Sequence, residues 1–141
     1  MDSPKSRPLV LVVAAALVDA QGRVLVAQRP AGRSLAGLWE FPGGKVEPGE
    51  GLEEALVREL QEELDVEART SALEPFAFAS HGYPDFALLM PLYLLREWSG
   101  EPRPLEASAL AWARPSQLSA YPMPPADVPL VARLMAAEPL A

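Results

Sequence analysis

The chain contains no cysteine and only one histidine. The first absence excludes disulfides, thiolate metal sites and cysteine nucleophiles, and it accords with a reducing, cytoplasmic setting. No apolar run approaches the roughly 20 residues that cross a bilayer. Leu9–Val18 is apolar but short, and it runs into Asp19–Gly22 with a second apolar run behind it, so it reads as a strand and not as a signal peptide or membrane anchor. Basic charge is also scarce: 12 Lys and Arg stand against 19 Asp and Glu, a net charge of −7, and the basic residues form no cluster. Such a balance repels nucleic acid polymers but admits a small anionic substrate reached through a divalent cation. Repeats, low-complexity tracts and linkers are missing too.

What is present is enough to fill a core. Half of the 141 residues are hydrophobic, which suits a single domain over 1–141. The sequence sets no oligomeric state. Val10–Val18 and Val24–Gln28, rich in Val, Leu and Ala, read as a β-hairpin about the turn Asp19–Gly22. Pro30–Leu38 reads as a loop and Trp39–Phe41 as a short strand halted by Pro42-Gly43-Gly44. Pro48-Gly49 marks a further turn. From Glu50 to Leu64 the period becomes helical, with Leu52, Leu56, Leu60 and Leu64 recurring every fourth residue. Phe76–Ser80, Phe86–Arg96 and Ser108–Trp112 read as strands, Pro115–Leu118 as a helical turn and Ala126–Ala137 as a second helix. The predicted class is α/β (α+β), a mixed sheet sandwiched between helices.

The acidity is concentrated. Nine acidic residues fall within the 21 positions from Glu47 to Glu67. On the helix, Glu59, Glu62 and Glu63 project from one side, three and four residues apart. Like charges at this spacing destabilise an isolated helix by a few tenths of a kcal/mol per pair, roughly. Taken alone, the three read first as a solvated acidic face. Their context favours a shared cation: Gly43-Gly44 offers backbone that can approach a phosphate or present a carbonyl, and Arg58 sits among the acids as an orienting partner. All-oxygen ligands select Mg²⁺, with Mn²⁺ as a substitute, over zinc.

Gly44, five residues, Glu50, seven residues, then Arg58-Glu59-Leu60-Gln61-Glu62-Glu63 resembles the signature of the Nudix hydrolases. Eight of its nine defined positions match across 23 residues; Asp65 stands in place of the last glycine, followed by the expected aliphatic Val66. Asp tolerates the left-handed conformation at a helix end. The resemblance implies the Nudix fold and hydrolysis of a diphosphate linked to another moiety. It implies that Glu59, Glu62, Glu63 and the Gly43 carbonyl bind metal, that Arg58 orients the carboxylates and that Glu50 supports the loop before the helix. Glu59 is the preferred general base, with Glu50 and Glu106 as alternatives.

The flanks resemble the MutT-like branch, which sanitises nucleotide pools: Leu38-Trp39-Glu40-Phe41-Pro42-Gly43-Gly44-Lys45, Trp98 with Gly100, Glu106 six residues before Trp112, and Pro124-Pro125-Ala126. On that likeness Glu106 is a further metal-binding or basic carboxylate. Arg29, Ser34, Glu40, Phe41, Tyr83 and Asp127 become the substrate-binding candidates, Phe41 and Tyr83 as flat faces or as core. Asp127 stands where relatives tuned to 8-oxo-dGTP often carry Asn. An ionised carboxylate only accepts hydrogen bonds, which suits the amino group of cytosine; a protonated one mimics Asn and suits 8-oxoguanine. Asp127 also reads as a cap for the last helix. The implied activity is Mg²⁺-dependent cleavage of a nucleoside triphosphate to monophosphate and pyrophosphate, on 8-oxo-dGTP or on CTP and its 5-substituted forms. ADP-ribose or RNA 5′-end hydrolysis and a non-catalytic nucleotide-binding module are the rivals. His81, read as a loop residue at a strand end, is assigned no role.

Overall fold

The computed structural model describes residues 7–141. Seven strands form two sheets: β1 (Leu9–Leu17), β2 (Val24–Gln28), β3 (Trp39–Glu40), β4 (Gly43–Lys45), β5 (Leu73–Gly82), β6 (Ala87–Leu95) and β7 (Ala109–Ala113). The larger sheet has the order β4-β1-β6-β5, with β1 and β6 parallel and the other pairs antiparallel. The smaller, antiparallel sheet has the order β3-β2-β7. Helices α1 (Leu52–Leu64) and α2 (Val128–Ala137) belong to two separate cores. Among the described residues, no helix is long and apolar enough to cross a membrane.

Strand β1 divides those cores. Val13, Ala15 and Leu17 pack with Leu56, Leu60 and Leu64 of α1, and Ala14, Ala16 and Val18 pack with Leu118, Leu130 and Leu134 on the α2 side. Burial on both faces explains why this strand reads as an unbroken apolar run instead of an alternation. Leu56, Leu60 and Leu64 are essentially solvent-free, and burying each stabilises the fold by roughly 1.5–3 kcal/mol.

The hairpin expected of β1 and β2 does not form. Its turn is present, with the Asp19 amide donating to the Arg23 carbonyl at 3.0 Å, but a single bridge from Val18 to Val24 joins the two strands. A strand has two edges, and β4 and β6 take both edges of β1, so β2 departs into the other sheet. Nor do the glycines after Pro42 end a strand; Gly43–Lys45 is itself a strand, paired with Val12–Ala14. A Cβ at Gly43 would lie 2.0 Å from the Val13 carbonyl oxygen, so only glycine permits this pairing.

Helix α1 starts at Leu52, two residues later than the spacing predicts, because Glu50 closes the preceding turn by accepting the Glu47 amide at 2.9 Å. The Gly51 amide donates to the Glu54 carboxylate at 2.8 Å and satisfies an otherwise free helix-start donor. Asp65 ends the helix in the left-handed region at φ 58°, as its substitution for glycine requires. Helix α2 also starts two residues later than expected. His81 lies inside β5 and not in a loop.

Candidate active site

Arg58 is the hub of the acidic helix. Its Nε and Nη2 donate to the two Glu50 oxygens at 2.6 and 2.9 Å, a bidentate pair, while Nη1 reaches Glu59 at 3.0 Å and Glu62 at 3.4 Å. Nη2 also donates to the Lys45 carbonyl at 3.1 Å, which ties the helix to β4. The guanidinium holds the Glu50 carboxyl down at about 2 and is itself held firmly protonated by these acids. The ion pair thus favours the ionised form of Glu50.

Glu59 and Glu63 are different. Withdrawal from water raises both carboxyls, and each is raised further by acidic neighbours: Glu62 and Glu106 for Glu59; Glu59, Glu106 and Glu40 for Glu63. Burial is the larger cause, and it takes Glu63 up to about 8 even though the Gly43 amide donates to that carboxylate at 2.9 Å. Glu106 comes from the loop before β7. That loop is moored to the end of α1, where the Arg103 amide donates to the Leu64 carbonyl at 2.9 Å and the Leu105 amide to the Glu63 carbonyl at 3.1 Å. Glu62 is the most open of the three helical acids, with half of its side chain exposed.

Among the described residues, no group of three carboxylates converges on one point as a preformed cage. Repulsion is relieved by separate donors instead, Arg58 for Glu59 and Glu62 and the Gly43 amide for Glu63. The donor set nevertheless fits a hard dication. It is all oxygen, and Gly44 makes room for one of its members: a Cβ there would stand 2.5 Å from both Glu59 carboxylate oxygens.

Among the described residues Asp127 is the buried acid, 5% exposed. It precedes α2 but its side chain makes no capping bond, so the cap reading fails. The carboxylate turns to the Phe41 amide instead, at 3.4 Å. Burial, reinforced by Glu40, raises it to about 7. Phe41 is core, 4% exposed, and supplies its amide to the site instead of a ring face. Tyr83 senses the Asp127 charge, its hydroxyl raised by burial and then by that carboxylate. Its ring stacks on Phe86 at 4.8 Å and touches His81 at 4.6 Å. Phe86 and the ring contact of His81 with Tyr83 were not legible from sequence; the aromatic spacing around Pro84-Asp85 was the available signal.

Between the two acidic regions lie Arg29 and Glu40. Arg29 Nη1 donates to both Glu40 oxygens at 3.2 and 3.1 Å, and Nε to the Ser34 carbonyl at 2.8 Å. The Ser34 hydroxyl lies 3.5 Å from Nη2, so Ser34 braces Arg29. A cleft of about 60 Å³ is lined by Arg29, Arg33, Glu40, Pro42, Glu63 and Glu106. Sequence reading missed Arg33, whose signal was an arginine in a Gly-flanked loop between Arg29 and Glu40. A larger open groove of about 1150 Å³ runs past Gln61, Arg69, Glu97 and Trp98, but Glu59, Glu62 and Glu63 do not line it. Arg58 lines that groove, whereas of the three helical acids Glu63 lines the small cleft and Glu59 and Glu62 line neither.

Known proteins match this arrangement along most of the chain. The family model described as "NUDIX domain" matches residues 13–133. The CTP pyrophosphohydrolase of Escherichia coli is 41% identical over 129 residues, covering 90% of this chain and 93% of that protein. The 8-oxo-dGTP diphosphatase of Haemophilus influenzae is 37% identical over 130 residues, covering 92% and 93%. Among solved structures, the E. coli ORF135 protein superposes with a TM-score of 0.83 at 38% identity, covering 99% of this chain and all of that one. A MutT structure from work on Aliivibrio salmonicida and Vibrio cholerae gives 0.78 at 30% identity, covering 92% and 98%. The acidic helix and its glycine strand thus stand in a setting shared with a CTP pyrophosphohydrolase and an 8-oxo-dGTP diphosphatase, and this chain belongs to the Nudix family of hydrolases, on its MutT-like side.

Proposed function

We propose that this protein, as a single Nudix domain over residues 1–141, hydrolyses nucleoside triphosphates to monophosphate and pyrophosphate with Mg²⁺, removing nucleotides such as 8-oxo-dGTP from the pool. One observation carries the reading: Glu63 is set against the Gly43 amide with Glu59 and Glu106 as like-charged neighbours. Isolated carboxylates in such company have no stabilising purpose in the fold, whereas a dication on a phosphate chain would use all of them.

Glu59, Glu62, Glu63, Glu106 and the Gly43 carbonyl are the proposed metal ligands. Bound there, Mg²⁺ or Mn²⁺ would neutralise phosphate charge and polarise the phosphorus. Glu59 takes the proton of the attacking water as general base; its carboxyl is raised by withdrawal from water, against the pull of Arg58, and further by Glu62 and Glu106. Arg58 and Glu50 are positioning residues: the bidentate pair fixes the guanidinium that in turn aims Glu59. On the nucleoside side, Asp127 and the Phe41 amide read the base edge, Tyr83 offers a ring face, and Arg29 with Ser34 and Glu40 shapes the floor.

A second reading rests on Asp127. With its carboxyl near 7, both forms are populated at neutral pH. The protonated form donates and accepts, matching the Hoogsteen edge of 8-oxoguanine; the ionised form accepts from the cytosine amino group. A preference for CTP or 5-substituted cytidine triphosphates is therefore the alternative, in keeping with the name of the E. coli relative. A triphosphate panel with Mg²⁺, with products separated, tests both. The expected products are monophosphate and pyrophosphate, and release of orthophosphate from every substrate would refute the proposal.

A further inference from the structure

The small cleft has an acidic lining and few free cations. Glu40, Glu63 and Glu106 form its walls, and a triphosphate entering it is itself multiply anionic. Two of the arginines nearby are already committed: Arg29 to Glu40 and the Ser34 carbonyl, Arg58 to Glu50, Glu59 and Glu62. Arg33 lines the same cleft, is exposed, and among the described residues its guanidinium takes part in no hydrogen bond or ion pair. Its charge already reaches the cleft, since it stabilises the ionised form of Glu40 along with Arg29.

The loop that carries Arg33 is folded back on Arg29. The Arg29 amide donates to the Leu38 carbonyl at 2.9 Å, the Gly37 amide to the Arg29 carbonyl at 3.0 Å, and Arg29 Nε to the carbonyl of Ser34, the residue after Arg33, at 2.8 Å. Gly32 and Gly37, at φ 86° and 85°, supply the left-handed backbone that this reversal needs. The loop therefore holds Arg33 at the rim of the cleft, beside the carboxylates.

We propose that Arg33 binds the phosphate chain of the substrate, its guanidinium donating to non-bridging phosphate oxygens across the cleft from Glu63 and Glu106. The proposal rests on the triphosphate reading above. A planar guanidinium with several donors matches two phosphate oxygens at once, and unlike Arg29 and Arg58 it gives up no internal bond to do so. Arg33 is a binding residue in this account, so its loss falls on KM and not on kcat.

The test is equilibrium binding of an α,β-methylene nucleoside triphosphate in Mg²⁺, with Arg33→Ala, Arg33→Lys and Arg33→Glu beside the wild type. Arg33→Ala is expected to bind about tenfold more weakly or worse, the scale of one charged hydrogen-bonded contact. Arg33→Lys should recover part of that loss and Arg33→Glu should exceed it. Thermal melts of the three should match the wild type, because the side chain bonds to nothing in the fold. Arg33→Ala binding as tightly as wild type overturns the proposal while leaving the triphosphate reading intact, and so does an equal loss in all three variants. A wild type that binds no analogue overturns both.

Discussion

The two acidic regions of the site are built in opposite ways. Around α1 the acids are crowded and close in sequence, and a cation within the same segment, Arg58, holds three of them at 2.6–3.4 Å. Around Asp127 a single carboxylate is assembled against residues from distant segments. It has one amide, 86 positions away, and burial that outweighs the attraction of Arg29. The first arrangement holds Glu50 ionised and raises Glu59 and Glu63 through burial and like charge. The second holds an acid near neutrality, where its proton is a variable. On the proposed function, the first region would take phosphate and metal and the second would read a base.

Breaking the first region should have the largest effect. Glu63→Gln or Glu62→Gln removes a proposed ligand while keeping shape, and turnover with Mg²⁺ should fall by about 10³-fold with the melting temperature retained. A wild-type rate in either variant would remove the metal assignment. Arg58→Ala comes next. It strands Glu50 and Glu59 without their donor, and kcat should drop by about 10²-fold, only partly restored by Lys because an ammonium cannot make the bidentate pair with Glu50.

The second region predicts a smaller change of a different kind, in preference and not in rate. At pH 7, Asp127→Asn should raise kcat/KM for 8-oxo-dGTP relative to CTP by about tenfold. Lowering the pH from 8 to 6 should move the wild-type ratio the same way, because protonation through about 7 produces the Asn-like form. The Asn variant should show no such pH dependence, and an unchanged ratio would dispose of the base-reading role. The smallest effect is on stability. The folded carboxyl is raised from 3.8 to about 7, so the native state holds a proton that the unfolded chain releases in that window. Its contribution is complete below the lower value and is lost as pH rises toward the upper one. Denaturant unfolding between pH 5 and 8 should show the wild type losing on the order of 2–3 kcal/mol more than Asp127→Asn.

The same contrast sets what could be read from sequence. The acidic helix is local: a leucine every fourth residue gives its buried stripe, glutamates three and four apart give its outer face, and Asp65 turns left-handed where glycine was expected. Arg58 was placed correctly among the acids for the same reason. Contacts across the chain were not legible. The partner of β1 is β6, over 70 positions away and parallel, and nothing in the Leu9–Val18 run distinguishes that pairing from a hairpin with the next strand. Gly43–Lys45 was read as a stop because glycines disfavour strands, although a close approach to Val13 and Ala14 is what requires them. Asp127 was recognised as informative, but its residue type alone could not say that its side chain turns from the helix it precedes to the Phe41 amide.

The central claim is that the α1 carboxylates jointly hold a divalent cation, and metal binding tests it without relying on turnover. Mn²⁺ titrated into the protein and followed by electron paramagnetic resonance should bind saturably, more tightly when a non-hydrolysable triphosphate is present, and should be largely lost in Glu63→Gln. Equal Mn²⁺ affinity in the wild type and in Glu59→Gln, Glu62→Gln and Glu63→Gln would contradict the account.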